Sequence, residues 1–483
     1  MHNRKCHLLQ AGAALLLGLL LLSPLSCRAA QETAAPVAVS VTVDGKAVSG
    51  RMLDGAYGTT VSFPAGTTLT VSPQEPGDKV YGLYIVWAKN PSPWTLSHNG
   101  TETPAGTHGF LHEYVPIEGG AETVSLTLSG EESICYLKAY SSGPLPAEVQ
   151  VWEPECDRAD ILLFSTHADD EILFFGGVLP EYAGERGLKV QLVYFSNYFL
   201  AGGDRTREHE KLDGLWTAGV RQYPVNAPFP DYYSGSLAAA KELFGWDEPL
   251  AYLTEQIRKF KPQVCIAQDT DGEYGHGTHM LTSALMQEAV KTSMDPSFCP
   301  DSAETYGVWD VPKTYIHLYG ENKISLDCRK PLEAFGGQTA LEVATVAYKK
   351  HVTQQWCWFY VSDTYEYSIA EYGMCRSTVG ADTGNDMMEH LVSYAEQDRL
   401  EAERKAEEER KAKEEAERKA REEAERKAKE EAERKAQEEA QRKAAEEAAA
   451  HRRMLLLLLA AVLLTLGLLT AFLTRRSIRR KIR

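Results

Sequence analysis

An uncharged run at residues 454–474, MLLLLLAAVLLTLGLLTAFLT, limits most strongly what this chain can fold into. As a helix, it would extend about 30 Å, which matches the hydrocarbon thickness of a bilayer. Six Lys and Arg residues follow within 475–483, and such positive charge stays on the cytoplasmic side of a membrane. We therefore expect a transmembrane helix with a basic cytoplasmic tail, and with the preceding residues outside the cell. A buried core helix is the alternative.

The first 30 residues have the pattern of a secretory signal peptide. A short basic stretch precedes an apolar run of about a dozen residues, and small residues follow near Ala29. The alternatives are an uncleaved anchor and a lipid attached to Cys27. Together with the C-terminal run, this pattern predicts a single-pass protein of the cell membrane whose head is extracytoplasmic.

The length and charge of the chain exclude some arrangements. With 483 residues, the chain exceeds the size at which one hydrophobic core stops growing. The formal net charge is −17, which argues against nucleic acid as the main partner. Seven cysteines remain after the signal peptide, and none forms a CxxC pair that would indicate a structural zinc site.

Residues 37–153 alternate short β-prone runs with Gly, Pro and Asn turns. This spacing predicts an all-β sandwich domain. Tyr84, Trp87 and Trp94 are of the residue types that stack on sugar rings, so we consider a glycan-binding role for this domain. The alternative is that these three aromatic side chains belong to its core.

Residues 157–382 change to apolar β-rich runs that alternate with helical patterns. ILLFS (161–165) and KVQLVYFS (189–196) flank a helical stretch, and QVCIAQ (263–268) follows another helix. Alternating β and α segments predict a mainly parallel sheet covered by helices.

Residues 386–453 contain an eight-residue repeat of the type KAKEEAER. It places Glu four residues before Lys or Arg, which is the favourable order for ion pairs along a helix. Eight residues turn about 80° beyond two helical turns, so the alanines spiral instead of forming one seam. We therefore expect a single charged helix acting as a spacer, with self-association through this tract as the alternative.

Two short polar motifs each follow an apolar strand. THADDE (166–171) comes directly after ILLFS, and HGTH (276–279) comes shortly after QVCIAQ. Because ligands gather at the carboxyl ends of parallel strands, we expect both motifs to lie at the same crevice. His167, Asp169 and Asp170 are residue types that bind metals or transfer protons. Taken singly, the first motif could be a helix cap and the second a surface HxxH.

Taken together, the two motifs provide a two-histidine, one-carboxylate metal set: His167, Asp170 and His279. Such a set binds zinc and leaves a position open for water, and the same ligands hold Fe(II) in oxygenases, so the ligand types leave the metal undecided. Asp169 then remains as a base toward the water. His276 remains to stabilise a developing oxyanion or to protonate a leaving amine.

These motifs resemble those of the LmbE-like, GlcNAc-phosphatidylinositol de-N-acetylase (PIG-L) family of zinc hydrolases. Members carry HPDDE after the first strand of a Rossmann-like fold and HxxH after a later strand. Here Ala168 replaces the usual proline, and Thr278 replaces a residue that is frequently acidic. The resemblance extends over about 158–380 and is specific at the two motifs.

Outside the two motifs the resemblance is looser. Arg207 with Glu210 matches an RxxE stretch of the family, and His351 with Gln354 matches a late segment. The resemblance implies that Arg207 contacts substrate. The alternative is that Arg207 forms an ion pair with Glu210.

For the motif residues the resemblance implies specific roles: zinc binding for His167, Asp170 and His279, general-base catalysis for Asp169, and electrostatic stabilisation of the tetrahedral intermediate for His276. The implied reaction is hydrolysis of the acetamide of N-acetylglucosamine-type sugars to amine and acetate. No glycine-rich nucleotide loop accompanies the Rossmann-like fold, so we expect no nucleotide cofactor.

The sequence thus predicts an all-β sandwich, a Rossmann-like α/β domain, a long charged helix and one transmembrane helix. We expect an extracytoplasmic zinc de-N-acetylase that acts on surface glycans or glycoconjugates. Two alternatives remain open. One is a catalytically inactive surface carbohydrate-binding protein or adhesin, and the other is a metal hydrolase of another small amide.

Overall fold

A computed structural model describes residues 32–200, 202 and 205–480. The signal peptide expected at 1–30 and the last three residues of the basic tail lie outside the described residues. The chain divides into two compact units, of which the first ends at Ala395 and the second begins at Glu396. Each unit is described by itself.

The first part of unit one consists of short strands that pair antiparallel with their neighbours. The strands are β1 (Pro36–Val37), β2 (Val39–Val43), β3 (Lys46–Ala47), β4 (Val61–Phe63), β5 (Thr68–Pro73), β6 (Val80–Trp87), β7 (Trp94–His98), β8 (Thr101–Ala105), β9 (His112–Ala121), β10 (Val124–Leu128) and β11 (Glu132–Tyr140).

These strands form two sheets around one hydrophobic core. One sheet has the order β1-β11-β6-β9, with β4 also paired to β11, and the other has the order β3-β2-β5-β10-β7-β8. In β10, Val124, Leu126 and Leu128 are buried and alternate with partly exposed residues, the two-residue period of a half-buried strand. Leu83 of β6 and Leu69 of β5 bring the two sheets into the same core.

The aromatic residues considered for sugar stacking lie inside this part of the protein. Trp87 and Trp94 are buried, and both indole Nε1 atoms donate to Glu113 Oε2, at 3.1 and 3.0 Å. Tyr84 is also buried, and its hydroxyl hydrogen-bonds His112 Nδ1 at 2.8 Å. These three rings are therefore core residues, as in the alternative considered above. Each of their polar atoms has a hydrogen-bond partner inside the protein, which is usual for buried Tyr and Trp.

The second part of unit one contains a mixed sheet and helices. The strands are β12 (Ile161–Ser165), β13 (Val190–Asn197), β14 (Val225–Pro230), β15 (Val264–Ala267), β16 (Lys313–His317), β17 (Lys323–Ser325) and β18 (Glu371–Ser377). The helices are α1 (Asp170–Leu173), α2 (Arg205–Thr217), α3 (Leu237–Phe244), α4 (Asp247–Phe260), α5 (Gly277–Thr292), α6 (Pro300–Tyr306) and α7 (Ala340–Tyr348).

The order of the sheet is β14-β13-β12-β15-β16-β18-β17. The first five strands are parallel, and β18 and β17 are antiparallel to their neighbours. From β12 the chain adds β13 and β14 on one side, and then returns to place β15 on the other side of β12. The strand order thus reverses between β12 and β15, which is where ligands bind in open α/β sheets.

Both faces of this sheet are covered. In β12, Ile161 and Leu163 contact one hydrophobic cluster, whereas Leu162 and Phe164 contact another. A strand buried on both faces is apolar throughout, which explains the continuous run ILLFS. The seven cysteines of the described residues are free thiols.

Unit two belongs to one long helix, α8 (Tyr394–Arg480), whose side chains from Ala395 onward are exposed, apart from the partly buried Glu396 and Glu407. The expected pairs with Glu four residues before Lys are present, for example Glu415 with Lys419 at 2.7 Å. Most of the arginines instead pair with the glutamate four residues after them, such as Arg410 with Glu414 at 2.6 Å and Arg418 with Glu422 at 3.8 Å. Glu414, which precedes Arg418 by four residues, is already paired with Arg410. Arg418 therefore pairs with the glutamate that follows it.

The same helix includes a stretch that is long and apolar enough to cross a membrane, judged by its length and composition. The uncharged run 454–474 falls inside it. The helical state expected for the charged tract is observed from Tyr394 onward, and the run 454–474 is helical. Residues 386–393 are not helical, because Met387 and Met388 are buried in a core of unit one.

Within unit one, α2 is linked to the β-strand region through Asp213. The Tyr57 hydroxyl donates to Asp213 Oδ2, and Gln150 Nε2 donates to Asp213 Oδ1, both at 2.6 Å. Burial raises the pKa of Asp213 to about 6 against the opposing effect of these hydrogen bonds. The same helix carries Arg207, so this contact helps to fix the helix that reaches the functional site.

Asp213 is expected to make the folded protein less stable as the pH rises. Its pKa is about 4 in an unfolded chain, so between about pH 4 and pH 6 the folded state holds a proton that the unfolded state releases. The stabilisation is complete below this window and is lost above it. In wild type, we expect the free energy of unfolding to fall between about pH 4 and pH 6. In Asp213→Asn, which cannot titrate at this position, this fall should be smaller by about 1–2 kcal/mol.

Urea unfolding of the full-length protein on both sides of the window measures this difference. Asp78→Asn is the control, because Asp78 is an exposed aspartate of the β-strand region. An Asp213→Asn variant with the same pH dependence as wild type would contradict the assignment.

Candidate metal centre

The two polar motifs lie at the point where the strand order reverses. THADDE begins immediately after β12, and HGTH begins α5 a few residues after β15, the strand next to β12. Gly277 permits a close contact there, because a Cβ at this position would lie 2.2 Å from the backbone oxygen of Ser236. Its N–H donates to Ser234 O at 2.8 Å, which holds the segment after β14 against the second motif.

Three donor atoms from the two motifs converge. His167 Nδ1 lies 3.0 Å from Asp170 Oδ2 and 3.0 Å from His279 Nε2, and His279 Nε2 lies 3.1 Å from Asp170 Oδ2. All three side chains are buried. The set expected from the sequence is therefore brought together around one point.

The geometry of these donors fits a small divalent cation. Ligands at about 2.0–2.1 Å from a tetrahedral ion are separated from one another by about 3.3–3.4 Å, close to the observed separations. Two imidazoles and one carboxylate also form a donor set that leaves a position for water. His276 is a further candidate, because the ligand atoms of His167, His276 and His279 all lie within 4.8 Å of one another.

Glu273 holds His279 in the tautomer that a metal ligand requires. His279 Nδ1 lies 2.8 Å from Glu273 Oε2, so its N–H donates there and Nε2 faces the other donors. The other oxygen of Glu273 contacts His317 Nδ1 at 2.6 Å, and His317 Nε2 donates to Ser368 O at 2.8 Å. Burial alone would raise the pKa of Glu273, but its two histidine partners lower it to about 2.

Asp170 is held from several directions. Its Oδ2 accepts from the His167 backbone N–H at 2.8 Å and from Gln268 Nε2 at 3.1 Å. Burial opposes ionisation, but His279 and His167 hold the pKa of Asp170 well below its ordinary value. The carboxylate is thus charged and oriented toward the two imidazoles.

Asp169 occupies an unusual backbone conformation beside this set. Its φ is 111°, a region that costs a non-glycine residue about 1–3 kcal/mol. The Glu171 carboxylate accepts its N–H at 2.7 Å, and Arg207 Nη2 donates to its Oδ1 at 3.1 Å. Burial raises the pKa of Asp169 to about 6, with Arg207 opposing and Asp170 assisting. Strain of this kind is characteristic of functional sites.

His276 lies beside the two histidines of the converging set. Its ring centroid is 4.7 Å from that of His167 and 4.7 Å from that of His279. Its Nδ1 accepts the Thr278 N–H at 3.2 Å, which leaves Nε2 to carry the ring proton. Burial and the two neighbouring histidines lower the pKa of His276 to about 2, so it is a neutral hydrogen-bond donor.

Arg207 reaches the first motif. Its Nη2 also donates to Ala168 O at 2.9 Å, and its guanidinium lies over the Tyr198 ring at 4.4 Å. Glu210 instead accepts from Thr353, at 2.9 Å from the backbone N–H. Arg207 is thus paired with Asp169, and its Nε has no hydrogen-bond partner among the described residues.

The late segment that resembles the family also approaches the first motif. His351 is buried, and its Nε2 lies 2.9 Å from Glu171 Oε1. The side chain of Gln354 donates to the neighbouring Thr353 hydroxyl, at 3.1 Å, and its backbone N–H donates to His351 O at 3.0 Å. Of these two residues, His351 therefore supports the loop that carries Asp169.

Sequence reasoning missed several residues of the site. Asp231 Oδ1 lies 3.5 Å from His167 Nε2, and Glu273, His317 and Gln268 support the ligand set. Asp231 directly follows β14, Gln268 directly follows β15, and His317 ends β16. Their common signal was a polar residue at the carboxyl end of a parallel strand.

The metal-binding set can be tested by composition. In the full-length protein purified with zinc, we expect about one ion per chain in wild type and close to none in His279→Ala, because a two-ligand remnant binds zinc weakly. His276→Ala is the matched control and should keep the ion, since its Nδ1 is occupied by Thr278. Elemental analysis measures both. Loss of zinc from His276→Ala as complete as from His279→Ala would indicate a three-histidine set instead.

Comparison with known proteins places the two motifs in one family. Residues 162–290 match the model of the GlcNAc-PI de-N-acetylase family, PIG-L. The resemblance expected over 158–380 is thus confirmed for 162–290, and His351 and Gln354 lie beyond the matched residues.

Curated relatives carry the name 1D-myo-inositol 2-acetamido-2-deoxy-alpha-D-glucopyranoside deacetylase. One from Catenulispora acidiphila is 26% identical over 211 residues, which cover 37% of this chain and 59% of the relative. One from Geodermatophilus obscurus is 35% identical over 178 residues, which cover 32% of this chain and 60% of the relative. The chain thus spans about three fifths of the length of these relatives.

Among solved structures, the N,N'-diacetylchitobiose deacetylase from Pyrococcus horikoshii matches with a TM-score of 0.32 and 20% identity. This match covers 41% of this chain and 71% of that chain. Residues 162–290 of this chain, which include both motifs, form a domain of the PIG-L family.

Proposed function

We propose that this protein is a metal-dependent de-N-acetylase that hydrolyses the acetamide of N-acetylglucosamine-type sugars. One observation carries the proposal. The buried donors His167, Asp170 and His279 lie 3.0–3.1 Å apart, with Asp169 and His276 beside them. The family match and the deacetylase names of the relatives support the same reaction.

The proposed metal ligands are His167, Asp170 and His279, and zinc is the expected ion. A divalent cation bound there would lower the pKa of a coordinated water and polarise the acetamide carbonyl. Glu273 fixes His279 by accepting its Nδ1–H, and Gln268 orients Asp170. Supporting contacts of this kind keep the donor atoms in place when the ion enters.

Asp169 is proposed as the general base. Its carboxyl group is buried beside the ligand set, and its raised pKa of about 6 matches removal of a proton from water near neutral pH. Arg207 holds one carboxylate oxygen at 3.1 Å, so the other oxygen remains to accept the proton. The remaining donors of Arg207 are proposed to contact substrate, as the family resemblance implies.

His276 is proposed to stabilise the developing oxyanion. Its imidazole is neutral, since its pKa is lowered to about 2, and the Thr278 N–H directs the ring proton to Nε2. A neutral N–H donor stabilises negative charge on the substrate without first losing a proton. Of the two roles considered for His276, this one agrees better with its environment than protonation of a leaving amine.

The proposed arrangement places this chemistry outside the cytoplasm. The first 30 residues would be a signal peptide, 37–153 a β-sandwich domain, and 157–382 the Rossmann-like catalytic domain. The charged helix 386–453 would be a spacer, 454–474 would cross the membrane, and 475–483 would be cytoplasmic. The apolar stretch of α8 and its helical ion pairs support this assignment. Surface glycans are then the substrates within reach.

Acetate release tests the proposed reaction. The full-length protein with zinc should release acetate from N-acetylglucosamine oligomers. Asp169→Asn should lower kcat by about 10²–10⁴-fold while zinc content is unchanged, because it removes the base and leaves the ligands intact. Asp271→Asn is the matched control, since Asp271 is an exposed aspartate near the second motif. Full activity of Asp169→Asn, or no acetate from any N-acetyl sugar with zinc bound, would contradict the proposal.

A further inference from the structure

The exposed aromatic side chains of unit one are grouped in three short segments. Among the described residues of 32–395, six aromatic side chains are exposed: Tyr232, Tyr233, Tyr274, Trp356, Trp358 and Tyr360. Trp356 is 83% exposed and Tyr233 is 76% exposed. Single exposed apolar residues are ordinary, but a group of large aromatic rings on a soluble surface indicates a binding site.

One part of this group is joined to the candidate metal centre through ring contacts. The Tyr274 ring lies 5.3 Å from that of His279 and 4.5 Å from that of Phe359. Phe359 in turn contacts Trp358 at 4.4 Å. A series of ring contacts therefore leads from the buried His279 to the exposed Trp358.

A second part of the group reaches the same centre separately. The Tyr233 ring meets that of His276 edge-on at 5.0 Å. Its segment is held by Ser234, whose hydroxyl bonds that of Thr278 at 2.8 Å. Exposed rings thus contact the metal centre through both Tyr233 and Tyr274.

The segment that carries Trp356, Trp358 and Tyr360 is anchored on both sides. Before it, the Thr353 backbone N–H donates to Glu210 at 2.9 Å. After it, Asp363 forms a two-point ion pair with Arg329, at 2.6 and 2.8 Å. These contacts fix both ends of the segment that carries the rings, which lowers the entropic cost of ordering it on binding.

We propose that these aromatic rings are saccharide subsites and that the preferred substrate is an oligosaccharide or polysaccharide chain, an inference that rests on the proposed de-N-acetylase function. The C–H faces of a pyranose stack on aromatic rings, and the Tyr hydroxyl and the Trp indole N–H can hydrogen-bond the sugar hydroxyl groups. Further units of a chain bound at the metal centre would follow the ring contacts from Tyr274 through Phe359 to Trp358. A protein partner resident on these rings would lie over the metal centre and close it to substrate.

The length dependence of catalysis tests the inference. With N-acetylglucosamine oligomers of one to five units, wild-type kcat/KM should rise with chain length. In Trp356→Ala/Trp358→Ala, the ratio of kcat/KM for the pentamer to that for the monomer should fall by about tenfold, the effect of losing aromatic stacking. Val352→Ala is the control, because Val352 is 68% exposed at the start of the same segment and is not aromatic. Its ratio should equal that of wild type.

A binding measurement separates this inference from the reaction. Isothermal titration calorimetry of the full-length protein with the pentamer should show saturable binding in wild type and in Asp169→Asn, and the affinity should fall by about tenfold in the double tryptophan variant. Binding without acetate release would contradict the proposed function and retain the saccharide subsites. The saccharide subsites would be overturned if the ratio of kcat/KM for the pentamer to that for the monomer were unchanged in the double variant, as it would be if both values fell equally. Absence of pentamer binding to wild type would also overturn them.

Discussion

The close approach of His167 Nδ1, Asp170 Oδ2 and His279 Nε2 is the interaction on which the rest of the site depends. Buried atoms with lone pairs remain 3.0–3.1 Å apart only when protons or a cation lie between them. A proton on His279 can fill part of this role. Burial lowers the pKa of His279, but Asp170 and Glu273 outweigh burial and raise it to about 10. A divalent cation replaces such protons, so its binding would be coupled to proton release.

The topology of the sheet explains why these atoms meet. Because the strand order reverses between β12 and β15, the loops that follow these two neighbouring strands face one crevice. Polar residues at the ends of β14 and β16 complete the same edge, as Asp231 and His317 show. The strained backbone at Asp169 and the buried carboxylate of Glu273 are costs that the surrounding hydrogen bonds offset.

Much of the site could be predicted because its chemistry lies in two compact motifs beside recognisable apolar strands. The sequence does not state that β12 and β15 are neighbours, since β13 and β14 intervene along the chain. Glu273, Asp231 and His317 were missed because each acts through a position at a strand end or in a loop and belongs to neither motif. Residue type also does not reveal burial. Trp87 and Trp94 are core, whereas Trp356 and Trp358 are exposed, although all four are tryptophans in β-rich or irregular segments.

X-ray absorption spectroscopy of the zinc-loaded full-length protein tests most directly that these donors hold one ion. We predict two imidazole ligands together with oxygen ligands at about 2.0–2.1 Å and no sulfur. The seven free thiols of the described residues make the absence of sulfur informative. A zinc–sulfur distance of about 2.3 Å or a third imidazole would contradict the assignment.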